Sequence, residues 1–227
     1  MVIFDCDGVL VDTETLSANV LRGCLTPLGV EMSVADVLAL FCGKSISVCA
    51  EQVSNLLREM EPYKSWSKAR LESFTADFWC RVQQETLLAF DSGVKPIAGI
   101  KPLLDALKLK QIPFCVASNG RHEKMQLSLT QAELIEFFPR ENRFSATDVA
   151  VGKPAPDLFL LAARTKGVDV RECVVVEDSP SGVEAAVRAG IRVLGYNSHD
   201  PHSATACSMR QLGATMITSM DEVIDQI

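Results

Sequence analysis

Val2, Ile3 and Phe4 run without interruption into Asp5-Cys6-Asp7-Gly8. β-Branched and aromatic residues of this kind belong in a buried strand, and a glycine directly after two acids lets the chain turn sharply. Such an opening constrains the chain to an open α/β sheet that presents carboxylates at the carboxyl end of a strand, where sheets of this type bind ligands. Residues two apart in extended chain share a face, so the alternation predicts Asp5 and Asp7 side by side. Two close anions repel. Either a bound Mg²⁺, which prefers hard oxygen ligands, or a shared proton relieves them. Taken alone, Asp-Cys-Asp-Gly also fits a plain polar turn.

The rest of the chain divides by pattern. Leu16, Val20, Leu21 and Leu25 recur at helix spacing before a stop at Pro27-Leu28-Gly29, and further helical stretches are predicted over 33–40, 46–60 and 67–89. Residues 13–92 therefore read as an all-helical cap domain, inserted into a domain made of residues 1–12 and 93–227. Beyond it, helices predicted over 100–109, 123–132, 157–166 and 182–189 alternate with strands over 114–117, near Phe144, over 173–176, over 193–196 and near Met216, and a terminal helix starts at Asp221. Alternation of this kind implies right-handed crossovers and a Rossmann-like, doubly wound parallel sheet with helices on both faces, the α/β class.

Composition narrows the function classes. A formal net charge of −7 argues against nucleic acid and anionic membrane as general partners. No apolar run is long enough to span a bilayer, and the first residues lack an export signal, so a cytoplasmic location is expected. The eight cysteines form no C-x-x-C pair, which removes zinc and thioredoxin-like readings. Cys6 alone lies beside the acids, and a thiol nucleophile there is a further reading.

Three more segments end strands or loops in polar residues. Ser118-Asn119-Gly120 follows an apolar strand and opens a helix, as an anion site or an ordinary N-cap would. Lys153 is framed by Gly152 and Pro154, either as a fixed cation or as a surface lysine in a proline turn. Val174-Val175-Val176 ends in Glu177-Asp178-Ser179, where adjacent acids call for a cation or serve as a helix cap.

The four segments, in this order, resemble the signature set of the haloacid dehalogenase-like hydrolases, beginning with D-x-D-G-x-x-x-D at Asp5, Asp7, Gly8 and Asp12. The helical insertion is similar to the helical-cap subclass that contains sugar phosphatases and β-phosphoglucomutases. The resemblance implies that Asp5 is the nucleophile and forms an aspartyl-phosphate, that Asp7 is the general acid and base, and that Lys153, Ser118 and Asn119 bind the phosphoryl group. It also implies Mg²⁺ on Asp5, Asp178 and the main-chain carbonyl of Asp7. Alternation along the strand turns Glu177 to the opposite face, as a supporting or water-mediated ligand.

The implied substrate is a small phosphate monoester, most like sugar and sugar-acid phosphates such as 6-phosphogluconate, acted on by a monomer or weak dimer. Lys44, in Phe41-Cys42-Gly43-Lys44-Ser45, resembles a substrate-specificity loop and equally fits a surface lysine at a helix break. Dehalogenases of the family lack the second aspartate that is present here as Asp7. Mutases carry a histidine where this chain has Ser17, which favours a hydrolase. A non-catalytic phosphometabolite-binding protein is the remaining alternative.

Overall fold

The computed structural model describes residues 1–41, 46–91, 93–198, 200 and 202–227. In chain order these residues form β1 (Val2–Phe4), α1 (Thr13–Leu25), α2 (Val34–Phe41), α3 (Ile46–Arg58), α4 (Lys68–Asp91), α5 (Ile100–Leu109), β2 (Phe114–Ser118) and α6 (His122–Gln131). Then follow β3 (Arg143–Ser145), α7 (Asp157–Lys166), β4 (Val174–Glu177), α8 (Pro180–Arg188), β5 (Arg192–Tyr196), α9 (Ala204–Gln211), β6 (Thr215–Ile217) and α10 (Glu222–Asp225). They separate into two compact units, Met1–Asp12 with Val94–Ile227, and Thr13–Gly93.

The first unit is built on a six-stranded sheet in the order β3-β2-β1-β4-β5-β6, every pair parallel. β1 lies at the centre because Val2, Ile3 and Phe4 are fully buried on both faces, as a strand covered by helices on each side must be. Phe4 packs edge-on against Phe114 and Phe138, each at 6.4 Å between ring centroids. Ile3 joins Cys115, Val175, Leu158 and Phe159 in the other layer. The register aligns Phe4 with Val116 on β2 and Val176 on β4, so the residues that follow all three emerge together. From β1 the chain goes to β2 and β3 on one side, then crosses back to β4 on the other. This reversal opens a crevice at the carboxyl ends of β1 and β4.

Helix α9 is absent from the sequence expectation. Its residues are mostly small or polar, and within it only Ala206 and Met209 are buried, so the periodic signal is faint. Ser203 caps it by accepting from Ala206 N. Parallel β5 and β6 nevertheless require a crossover, which α9 supplies.

The second unit is helical. Leu21, Leu25, Val37, Val53, Leu57, Leu71 and Phe78 form its core. After α1 a short turn holding Pro27 ends at Gly29, whose φ of 86° and N–H to Thr26 O stop the helix. Within this unit a cavity of about 740 Å³ is lined mainly by apolar residues of α1, α2 and α4, among them Leu21, Phe41, Trp79 and Val82, together with Glu14 and Gln83.

Candidate active site

The loop after β1 is shaped by its own backbone. Asp5 N donates to Val176 O, Leu10 N and Val11 N to Cys6 O, and Gly8 N to Val11 O. β1 ends at Phe4, so Asp5 and Asp7 are placed by this tight loop and not by strand alternation. Gly8 has φ 79°, and a Cβ there would lie 1.9 Å from Asp178 Oδ2. Only a glycine allows the Asp178 carboxylate to come this close to the turn.

Lys153 is the buried centre of the site. Its Nζ contacts Asp5 Oδ1, donates to Glu177 Oε1 at 2.7 Å and stands 4.9 Å over the Phe159 ring. Asn119 fixes the lysine backbone in both directions, with Nδ2 donating to Lys153 O at 3.1 Å and Oδ1 accepting from Lys153 N at 2.9 Å. A Cβ on Gly152 would lie 2.6 Å from Asn119 Oδ1, so this glycine leaves room for the exchange. Ser118 Oγ accepts from Gly120 N, and Ser145 Oγ donates to Gly120 O, which ties the loop after β2 to β3.

Glu177 departs from the sequence expectation. Its carboxylate does not turn to the opposite face; it lies 1% exposed beside Asp5, binds Lys153 and accepts from Asp178 N, Ser179 N and Ser179 Oγ. The physical reason is that β4 ends at Glu177 and the chain bends at Asp178, so alternation does not carry past the strand. One oxygen each of Asp5, Glu177 and Asp178 lie within 4.8 Å of one another.

Lys124, which the sequence did not place in the site, reaches from α6 to donate to Asp7 Oδ2 at 2.9 Å. Its signal in the sequence was its position one turn into the helix that opens after Ser118-Asn119-Gly120. The structure thus brings together Asp5, Asp7, Ser118, Asn119, Lys153, Glu177 and Asp178, all in the first unit. Ser17 lies in the helical unit, where its Oγ donates to Thr13 O. Lys44 lies outside the described residues.

The electrostatics are unbalanced. Four carboxylates, on Asp5, Asp7, Glu177 and Asp178, face the ammonium groups of Lys153 and Lys124. Burial pushes Asp5 up to about 7 against the pull of Lys153, with Glu177 and Asp7 raising it further. Burial alone would lower Lys153, but Asp5 and Glu177 outweigh it and hold the amine protonated. Asp7 Oδ1 is buried with no hydrogen-bond partner among the described residues. An excess of oxygen donors around a short-range cluster suits a hard divalent cation, so the residues present fit one. Cys6 is different. Burial first, then Asp7 and Asp5, push its thiol well above its usual range, so it stays protonated and is unsuited to act as a nucleophile.

A doubly wound sheet carrying buried acids and a clamped lysine at its switch point defines an α/β enzyme with an acidic site. The chain belongs to the haloacid dehalogenase-like hydrolase family, whose sequence profile matches residues 2–196. It is 29% identical over 222 residues to the 6-phosphogluconate phosphatase of Escherichia coli, covering 98% of this chain and 93% of that protein. Among solved structures, a haloacid dehalogenase-like protein from Agrobacterium tumefaciens superposes with a TM-score of 0.75 at 31% identity, covering 99% of this chain and 96% of that one. A family hydrolase from Deinococcus radiodurans, solved with bound phosphate and sodium, superposes at 0.77 with 27% identity, covering 98% and 92%.

Proposed function

We propose that the protein is a Mg²⁺-dependent phosphatase that hydrolyses a small phosphate monoester, a sugar or sugar-acid phosphate, through an aspartyl-phosphate on Asp5. The observation that carries this reading is the Asp5 carboxylate at the sheet's switch point, gripped by a buried lysine and flanked by a second acid, Asp7, that Lys124 holds. In the first step an Asp5 oxygen attacks phosphorus, the ester P–O bond breaks, and the departing alkoxide takes a proton from Asp7. In the second step Asp7 takes a proton from water, whose oxygen attacks phosphorus. The bond to Asp5 breaks, and inorganic phosphate leaves. Lys153 and the backbone N–H groups of the Ser118-Asn119 loop face the charge that builds on the phosphoryl oxygens. When bound, Mg²⁺ on Asp5, Asp178 and the main-chain carbonyl of Asp7 supplies the positive charge that lets an anionic ester approach these carboxylates.

The substrate class draws on the likeness to the 6-phosphogluconate phosphatase, and the hydrolase reading on Ser17, which stands where the family's mutases carry a histidine. The helical unit acts as the cap that selects the substrate, with Lys44 as its contact to the non-reacting part. The low sequence pI of about 5.0 speaks against nucleic acid and anionic membrane as partners, and we expect a small-molecule substrate and a cytoplasmic setting. No described helix is long and apolar enough to cross a membrane. We expect a monomer or weak dimer. The test is phosphate release from a panel of phosphate monoesters with Mg²⁺ and with excess EDTA. Metal-dependent turnover of sugar or sugar-acid phosphates is expected, and full activity in chelator would refute the metal's role.

A further inference from the structure

We propose that Lys124 is the positioning residue for Asp7, holding its carboxylate in one orientation for proton transfer. This inference rests on the acid-base role given to Asp7 above. Lys124 Nζ donates to Asp7 Oδ2 at 2.9 Å, while Asp7 Oδ1 is buried and has no hydrogen-bond partner among the described residues. The two oxygens are therefore inequivalent, Oδ2 engaged by Lys124 and Oδ1 turned into the protein. An acid-base group that must meet an ester oxygen in one step and a water in the next gains from being held in one orientation, because rotation about its terminal torsion is otherwise soft.

The neighbourhood is built to keep this pair together. Lys124 stands on α6, whose first turn is anchored by the loop after β2, and Asp7 stands on the loop after β1. Gly120 sits beneath the contact: a Cβ there would lie 3.3 Å from Ser118 Oγ, 3.7 Å from Lys124 Cδ and 3.9 Å from Asp7 Oδ2. These distances place the lysine stem and the aspartate side by side next to Gly120. The loop in turn is fixed through Gly120, whose N–H donates to Ser118 Oγ at 3.0 Å and whose carbonyl accepts from Ser145 Oγ at 2.8 Å. The Lys124–Asp7 contact thus joins helix α6, which follows β2, to the loop that follows the neighbouring β1. The lysine side chain is 47% exposed, so it contributes little to the core and its replacement leaves the fold intact.

A lysine that merely bound the phosphoryl group would affect all esters alike, because every substrate carries the same phosphoryl oxygens. A lysine that positions the general acid acts on the leaving group, and its importance grows with the basicity of the departing oxygen. A p-nitrophenolate leaves without a proton, whereas an alkoxide does not.

The experiment measures kcat/KM, which reports the steps up to leaving-group departure, for a series running from p-nitrophenyl through phenyl to alkyl phosphates. The proteins are wild type, Lys124→Met, Lys124→Arg and Asp7→Asn, each with Mg²⁺. Lys124→Met is expected to lose roughly tenfold to a hundredfold on alkyl esters and less than about threefold on p-nitrophenyl phosphate, part of the 10²–10⁴ that general acid catalysis supplies. Lys124→Arg, which restores a donor, should recover most of the loss on alkyl esters. Equal losses across the series, or a rise in KM alone, would overturn the inference and make Lys124 a phosphate ligand. A leaving-group dependence left unchanged by Asp7→Asn would refute the acid role itself, and with it the function of its lysine. A steepened dependence in Asp7→Asn with none in Lys124→Met would overturn the inference while leaving the proposed function standing.

Discussion

The sheet unit and the helical unit treat polar groups in opposite ways. At the sheet's carboxyl edge, the buried Glu177 carboxylate engages four donors, on Lys153, Asp178 and Ser179, and glycines at 8, 152 and 182 clear space for side chains that press against the backbone. A Cβ on Gly182 would lie 1.8 Å from Glu177 Oε1. The helical unit instead holds a partly open, mainly apolar cavity of about 740 Å³, and the indole N–H of Trp79, which lines it, is buried with no partner among the described residues. Its aromatic residues Tyr63, Trp66 and Phe74 cluster at 5.0 to 5.7 Å between ring centroids. One region is fixed atom by atom; the other is packed by shape. The contrast teaches that charge chemistry has been placed where neighbouring strands set the backbone, because a buried charge tolerates no misplacement, whereas apolar packing among helices tolerates change.

The largest effect that would break this comparison is on chemistry. Asp5→Asn removes the nucleophile's charge at nearly constant shape, so turnover should fall at least about a thousandfold while the melting temperature stays close to wild type. Activity within tenfold of wild type would remove Asp5 from the reaction. Rapid acid quench with labelled substrate should trap phosphorylated wild-type protein and none of this variant.

The next effect is on stability. Glu177→Ala strips an acceptor from buried Lys153 and from three further donors, and should cost about 3–5 kcal/mol in urea unfolding, the range for breaking a buried ion pair. A loss below about 1 kcal/mol would mean that the cluster is not rigidly buried.

A matched pair of glycine substitutions sharpens the contrast. Gly8 and Gly29 both have positive φ, 79° and 86°. A Cβ on Gly8 meets the Asp178 carboxylate at 1.9 Å, but on Gly29 only the methyl end of Met60 at 3.1 Å. Gly8→Ala should therefore displace Asp178 and raise the Mg²⁺ concentration needed for half-maximal activity at least about tenfold, the scale of a disturbed metal site. Gly29→Ala should cost about 1 kcal/mol of backbone strain and leave activity unchanged. Equal metal requirements in both variants would sink the distinction.

The smallest effect is a pH dependence. Burial alone would raise Asp148, but the Ser145 N–H and His122 contacts outweigh it and hold the carboxyl below its ordinary 3.8. A depressed carboxyl stabilises the fold above its unfolded value and ceases to do so as pH falls through the folded one. Asp148→Asn should thus cost about 1 kcal/mol at pH 7, as for a lost cap, and the deficit in urea unfolding should shrink below pH 3.8. A deficit independent of pH would assign it to packing alone.

Much of the fold was legible because apolar periodicity is local. The helices expected over 100–109 and 157–166 coincide with α5 and α7. Phe114, Val174 and Val193 each lie in a strand of the parallel sheet where the sequence indicated one. α9 was not legible, since a short helix with two buried side chains leaves almost no periodic trace. Element ends were read less well than element centres, as at Glu177, where one residue of difference in the strand's end changes which way a carboxylate points.

From the sequence alone came the α/β class and the acidic and basic residues that could share a site, since strand and helix patterns and turn glycines are written in neighbouring residues. Only the tertiary structure decided which charges meet. Lys153 lies 148 positions from Asp5 and Lys124 lies 117 from Asp7, yet each pair is in contact. Partners at such separations are chosen by strand order and register, and these follow from packing the whole sheet, which no local pattern encodes.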